Sequence, residues 1–266
     1  MWEFGESLRF TWVMGGLARS YGTGYRDWES GVGSGPDCFA DLMAHWLDVG
    51  AETDMPVDAR LWSQNPIAST YPACQAVKAA AEQGADAAQR YLRRLREGLM
   101  TERKKLDHAE ALIGEAGAAG LDVERFRIDL GSNAITEAFA ADLDEVRNPP
   151  SEARELGKVG ETEGRERVSF PSAVFRSEDG SRHGVWGMHP HETYRDAAIA
   201  AGAKPVRTER AGPLEAIELF GRCATRELED LTGRPGPVLG AELWGLAREW
   251  KLRPASVMGW TLWELA

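Results

Sequence analysis

Cysteine is scarce in this chain. Its 266 residues hold only Cys38, Cys74 and Cys223, widely spaced and odd in number. A disulfide framework is therefore excluded, and a reducing compartment, the cytoplasm, is the expected location. No C-x-x-C pair occurs anywhere in the sequence. Long apolar runs are missing too: no stretch approaches the roughly 20 residues that a membrane span needs. The opening MWEFGESLRF has neither a basic n-region nor an apolar run, so no signal peptide and no membrane partner are expected. Positive charge is in deficit. Against 42 Asp and Glu stand 31 Lys and Arg, giving a net charge of −11 and a pI near 5.1, which disfavours nucleic acid and anionic surfaces as partners. No internal repeat is visible, which disfavours a solenoid.

Several chemical signatures are also absent. Gly15-Gly16, with Gly22, Gly24, Gly31 and Gly33, lacks the Lys-Ser/Thr that would open a helix after a phosphate loop. His183, His189 and His191 are poorly spaced for a tetrahedral metal, with no Cys or carboxylate placed to complete it, and read as structural or solvated. Asp142/Asp144 and Glu161/Glu163 read as surface charges rather than a catalytic dyad. No metal and no cofactor is expected, and no catalytic residue is assigned.

What the chain does have is the apolar content of an ordinary soluble protein, 43%, and ten tryptophans. Trp2 to Gly5 resembles the last turn of a helix with Gly5 as its C′ residue. Leu8 to Met14 reads as a strand. Tyr21 to Pro36 is a Gly/Ser-rich loop. From Asp37 to Arg147 the period is helical throughout, with helices at Asp37–Val49, Tyr71–Gln83, Asp86–Lys105, Asp107–Ala118, Asp122–Leu130 and Ser132–Arg147. Ser69 or Thr70 is placed to cap the second of these and Gly84 to end it. Asn148 to Arg167 reads as a hinge or solvated loop.

The stretch that organises the rest is VSFPSAVFRSEDGSRHGVWGMHP, Val168 to Pro190. It reads as a hairpin: strand Ser172–Arg176, a turn at Glu178–Ser181, and a return over His183–Gly187. Pro171 marks its start, because proline cannot donate to a sheet ladder, and X-Pro bonds alone adopt cis at modest cost. An ordinary trans proline opening an edge hairpin is the alternative. A helix, His191 to Ala201, follows. In the tail, Pro213–Leu231 reads as one helix closed by Gly233, Val238–Trp250 as another, and Ala255–Leu265 as extended around Gly259-Trp260. Helix, helix and terminal ribbon are winged-helix-like. Yet Arg222, Arg226, Arg234, Arg248, Lys251 and Arg253 are offset by Glu215, Glu218, Glu227, Glu229, Asp230, Glu242 and Glu249, so a packing or partner-binding appendage is favoured over a nucleic-acid reader.

PIASTYPACQAVKAAAEQG, YLRRLREGLMTERKKLD, GLDVERF and FPSAVF followed by GVWGMHPHETYRDAAIAAGA resemble the DsbA family. They are most similar to its cytoplasmic branch of dithiol-disulfide isomerases and ClpXP-protease adaptors, and ELWGLAREWKLRP is similar to that branch's actinobacterial-type members. The resemblance covers nearly the whole chain. It implies an α/β, thioredoxin-like fold with a large helical insertion plus a C-terminal helix-helix-β extension. The core would comprise residues 1–20 and 160–205, the insertion 36–148, and the extension 211–266. It also implies that Pro171 is the cis-proline and that Phe170 precedes it as the substrate-binding position, where backbone pairs with an extended chain. In that family a strand and a Cys motif at a helix N-terminus supply the thiolate. Here Met1 to Gly5 matches only the end of that helix, so strand and motif are expected to be missing and redox activity weak. Cys74, in the first turn of its helix, is the candidate reactive thiol, with inert packing the favoured reading; Cys38 is similar and Cys223 is packing.

Three functions stay open: a thiol–disulfide oxidoreductase or isomerase, a non-catalytic adaptor presenting a protein client, and a glutathione-dependent isomerase. The partner expected is a protein thiol, disulfide or peptide client. An unpaired sheet edge would also favour a homodimer.

Overall fold

The computed structural model describes residues 2–21 and 39–266, together with the backbone of Cys38. The loop read over Tyr21 to Pro36, Tyr21 apart, and the Cys38 thiol lie outside the described residues.

The helical body comes first. It contains α1 (Cys38–Thr53), α2 (Leu61–Gln64), α3 (Tyr71–Ala81), α4 (Ala85–Met100), α5 (Ala109–Ala118), α6 (Val123–Leu130), α7 (Asn133–Val146) and α8 (Ser151–Glu155). Its boundaries follow side-chain chemistry. Asp122 and Ser132 accept the backbone N–H of Arg125 and Ile135 as N-caps of α6 and α7. Gly84 joins α3 to α4 at φ +112°, where a side chain would be strained. The Thr70 hydroxyl does not cap α3. It is drawn instead to Ala18, accepting from its N–H and donating to its C=O. Ala76, Tyr91, Leu95, Leu112, Phe126, Ile135 and Phe139 from α3 to α7 form the largest core, and Met14 and Trp12 pack onto it.

Residues 8 to 14 correct one expectation. Leu8, Phe10, Trp12 and Met14 are more covered than Arg9 and Thr11, the alternation of a strand, yet this segment belongs to no sheet. Beyond the Leu8 N–H, which donates to Gly5 C=O (3.4 Å), side chains hold it: Met14 N–H donates to Asp142 (2.8 Å) and Trp12 C=O accepts from Lys78 (3.4 Å). Side-chain pattern makes a chain extended, but a strand also needs a neighbouring backbone. Trp2 to Gly5 has the local geometry expected of it, a turn followed by a left-handed glycine. Residues 2–4 form a turn and Gly5–Ser7 a 3-10 turn, with Gly5 at φ +48°.

Where a solvated loop was expected, over Asn148–Arg167, lie α8 and the hairpin β1 (Val159–Thr162)/β2 (Arg165–Val168). Its turn, Glu163-Gly164, has both residues at positive φ, the geometry of a two-residue hairpin. Charged residues fill that hairpin, which hid its period. Next come β3 (Ser172–Arg176) and β4 (Arg182–Trp186), a second two-stranded sheet, and α9 (His191–Ala200). Register Val174↔Gly184 centres this hairpin.

The tail differs from the single long helix expected over Pro213–Leu231. It divides into α10 (Pro213–Phe220), the short strand β5 (Cys223–Ala224) and α11 (Thr225–Thr232). Gly221, at φ +78°, breaks the helix, and Glu227 caps the restart by accepting from Ala224 N–H (2.8 Å). Then α12 (Gly236–Arg248), β6 (Leu252–Val257) and β7 (Trp260–Leu265) complete it. Strand order is β5-β7-β6, all antiparallel, which is the winged-helix connectivity. Leu228, Leu239, Leu243, Ile217 and Trp263 fill its core. Among the described residues no helix is long and apolar enough to cross a membrane.

Candidate functional site

The segment between β2 and β3 is built to hold one backbone geometry. The Phe170–Pro171 peptide is cis. Ser172 spans this bend: its hydroxyl donates to Ser169 C=O (2.6 Å) and accepts from Gly187 N–H at the end of β4 (3.2 Å). Ser169 N–H bonds Lys158 C=O (3.0 Å), tying the bend to β1. Tyr194 on α9 donates to Gly187 C=O (2.9 Å), and the ring of His189 contacts Trp186 C=O (3.0 Å). The bend is thus anchored from three elements.

Phe170 is fixed from two sides. The guanidinium of Arg167 lies 4.8 Å from its ring centre. Arg167 is only 2% exposed and donates to Thr162 Oγ1 (2.8 Å) and Val168 C=O (2.9 Å). On the other side the ring lies against Gly15, where an added Cβ would overlap it. Val13, Val146, Val168 and Trp186 share this small core. From sequence Gly15 is weighed only as part of a rejected phosphate loop, and Arg167 only as the end of a solvated loop. The FPS motif gave the bend, but nothing in a lone glycine or a charged hairpin shows that they meet a ring.

The result is a half-buried Phe170 beneath an exposed Pro171, with Val174 and Met188 also exposed nearby along the chain. Among the described residues, the rim of β3 away from β4 has no ladder partner and residues 8–14 have none on either side. Backbone donors and acceptors without partners are costly to bury and prone to recruit another chain.

The thiols behave otherwise. Cys74 sits in the first turn of α3 as expected. Burial pushes its thiol up to about 11, the nearby Asp142 carboxylate adding to the rise and a Gly16 backbone hydrogen bond opposing it. It stays protonated near neutrality, which disfavours the reactive reading. Cys223 lies in β5 rather than mid-helix. Burial, then the Glu227 charge, push it to about 12 despite Arg93 at 3.7 Å. It is packed core.

A family model described as Thioredoxin matches residues 5–148, more than half of the chain. The ClpXP adapter protein SpxH of Halalkalibacterium halodurans is 32% identical over 122 residues, which cover 46% of this chain and 38% of that relative's length. A solved structure from Nitrosomonas europaea, a candidate protein disulfide isomerase, aligns with a TM-score of 0.48 at 18% identity, over 62% of this chain and 74% of that one.

Proposed function

The chain belongs to the thioredoxin family, and from that premise we propose that it is a protein-binding member, an adaptor that holds an extended client segment against Phe170, Pro171 and the free rim of β3. The observation that carries this reading is the unpaired backbone beside a rigidly braced bend. A client strand adding to β3 would gain main-chain hydrogen bonds, with Pro171 and Val174 offering apolar contact for alternate side chains. Relatedness to the SpxH adapter supports a protein client over a small molecule.

A second reading, thiol–disulfide exchange, is favoured by the family itself. It needs an accessible low-pKa thiol, and of the two thiols among the described residues neither Cys74 nor Cys223 supplies one. A glutathione-dependent isomerase would instead need a Ser or Cys at a helix start and an anion pocket for glutathione, and glutathione binding by calorimetry tests it.

The test uses the full chain with a reduced, alkylated and therefore permanently unfolded model polypeptide. Amide hydrogen exchange is read across Ser172–Arg176 with and without it. Slowed exchange there, with β6 and β7 unchanged, is the expected result. Binding without protection of β3, or no binding at all, would sink the adaptor reading. Catalysis of insulin reduction by dithiothreitol, abolished by Cys38→Ala, Cys74→Ala or Cys223→Ala, would move the assignment to exchange chemistry.

A further inference from the structure

In a winged-helix arrangement the third helix is the reading element, and here that helix carries the wrong chemistry for a nucleic acid. On α12, Leu239, Leu243 and Leu246 turn to the core. The opposite stripe is Pro237, Ala241, Trp244 and Arg248, at steps of four, three and four residues, flanked by Val238. Such spacing places them along one face. Trp244 is 54% exposed and Val238 60%, while a DNA-reading face needs several donors aimed at base edges and phosphates. Arg248 alone supplies a cation, and among the described residues it has no carboxylate partner, unlike Arg226, Arg234 and Arg253 of the same tail.

We infer that the exposed face of α12 docks a short amphipathic segment of a partner protein, with apolar side chains over Val238, Ala241 and Trp244 and an acidic side chain paired to Arg248. Three observations choose this occupant. First, the apolar stripe ends in an unpaired cation, so an acidic group about one turn beyond the apolar contacts completes it. Second, Trp244 is preorganised: its ring stands edge-on to buried Trp263 at 5.2 Å, so little ordering cost falls on binding. Third, a half-exposed tryptophan with its small neighbours offers on the order of 300 Å², well below the roughly 800 Å² per partner of a standard interface. That is too little for a second copy of the chain and suits one short segment. This surface is separate from the bend at Phe170–Pro171, and its occupancy does not depend on what that bend binds.

The experiment is a selection from a random peptide display library on the full chain, followed by affinity measurement of the enriched peptides. Enriched sequences should pair apolar residues at helical spacing with an acidic residue beyond them. Ala241→Glu, which changes an exposed side chain only, should weaken them by about tenfold or more. Arg248→Glu should reverse the preference from acidic to basic. Trp244→Ala should act like Ala241→Glu, and the latter keeps the test open if loss of the Trp263 contact unfolds the tail. No enrichment, or enriched peptides indifferent to Ala241→Glu and Arg248→Glu, overturns the inference. So does binding of a mixed-sequence DNA duplex that competes with the peptides.

Discussion

The two ends of this molecule treat their strands in opposite ways. The tail pairs its central strand β7 on both sides, with β6 and the two-residue β5 as edges, and helices α10, α11 and α12 cover the sheet. Among the described residues, the region around Phe170 leaves two hairpins of two strands each and an extended segment, residues 8–14, with no ladder. An isolated two-stranded hairpin is marginal in water, so β1–β2 and β3–β4 depend on side-chain braces such as Arg167 and Ser172. The difference is that the tail sheet is organised around a fully paired central strand and its own apolar core, whereas the bend is ordered by side-chain contacts and has backbone capacity to spare. Spare capacity is where a partner chain would bind.

The sharpest way to break this comparison is at the centre of the tail. Trp263 is fully buried, and its indole N–H donates to Thr225 (2.9 Å). Trp263→Ala should cost about 3–5 kcal/mol and melt the tail while the helical body, whose core it does not touch, stays folded. Thermal unfolding followed by far-UV circular dichroism should split into two transitions. A single transition lowered as a whole would show that tail and body unfold as one unit.

Gly15→Ala probes the other end. The new methyl overlaps the Phe170 ring, so ring or backbone must move, at about 1–3 kcal/mol. Urea unfolding should report that loss, and affinity for the model polypeptide should fall with it. An unchanged affinity would mean that the position of Phe170 does not matter to the bend.

An ionic seam ties the tail to the helical body. Arg222 pairs with Glu97 (3.1 Å) and with Glu102, and Arg93 pairs with Glu227 (2.9 Å), joining β5 and α11 to α4. Burial alone would raise the Glu102 carboxyl, but hydrogen bonds from Lys104 and Arg222 outweigh it and hold it at about 2. Its folded value lies below the ordinary carboxylate range. The contribution is therefore complete above about pH 5 and is lost as pH falls toward 2. Glu102→Gln should flatten the stability profile across that window and leave it unchanged at pH 7 to 8 in shape. An unaltered acid limb would assign acid sensitivity to other carboxylates.

Much of this was legible in residues. The periodicity of Tyr71 to Arg147 gave the helical body, because caps such as Asp122 and Ser132 announce themselves locally. FPS and the following alternation gave the hairpin of β3 and β4. What was not legible depended on pairing at a distance. LRFTWVM has the side chains of a strand, but its neighbours decide whether it becomes one. RERV hides a buried arginine inside a run that composition marks as solvated. The break at Gly221 was missed because the residues on both sides favour helix, and only the capping of Ala224 by Glu227 shows that the chain restarts there.

The smallest expected effect tests whether the tail is built for folding alone. Trp250 follows α12 at φ +58° and is 86% exposed. A left-handed conformation disfavours any residue with a Cβ, and the position after a helix is where glycine is usually found. An exposed tryptophan returns no burial in exchange. Trp250→Gly should therefore raise tail stability by roughly 0.5–1 kcal/mol, the relief of backbone strain less the greater freedom of glycine in the unfolded chain. Chemical denaturation of the tail transition would measure it. A loss of stability instead would mean that the indole packs in solution against something that its exposure here does not record.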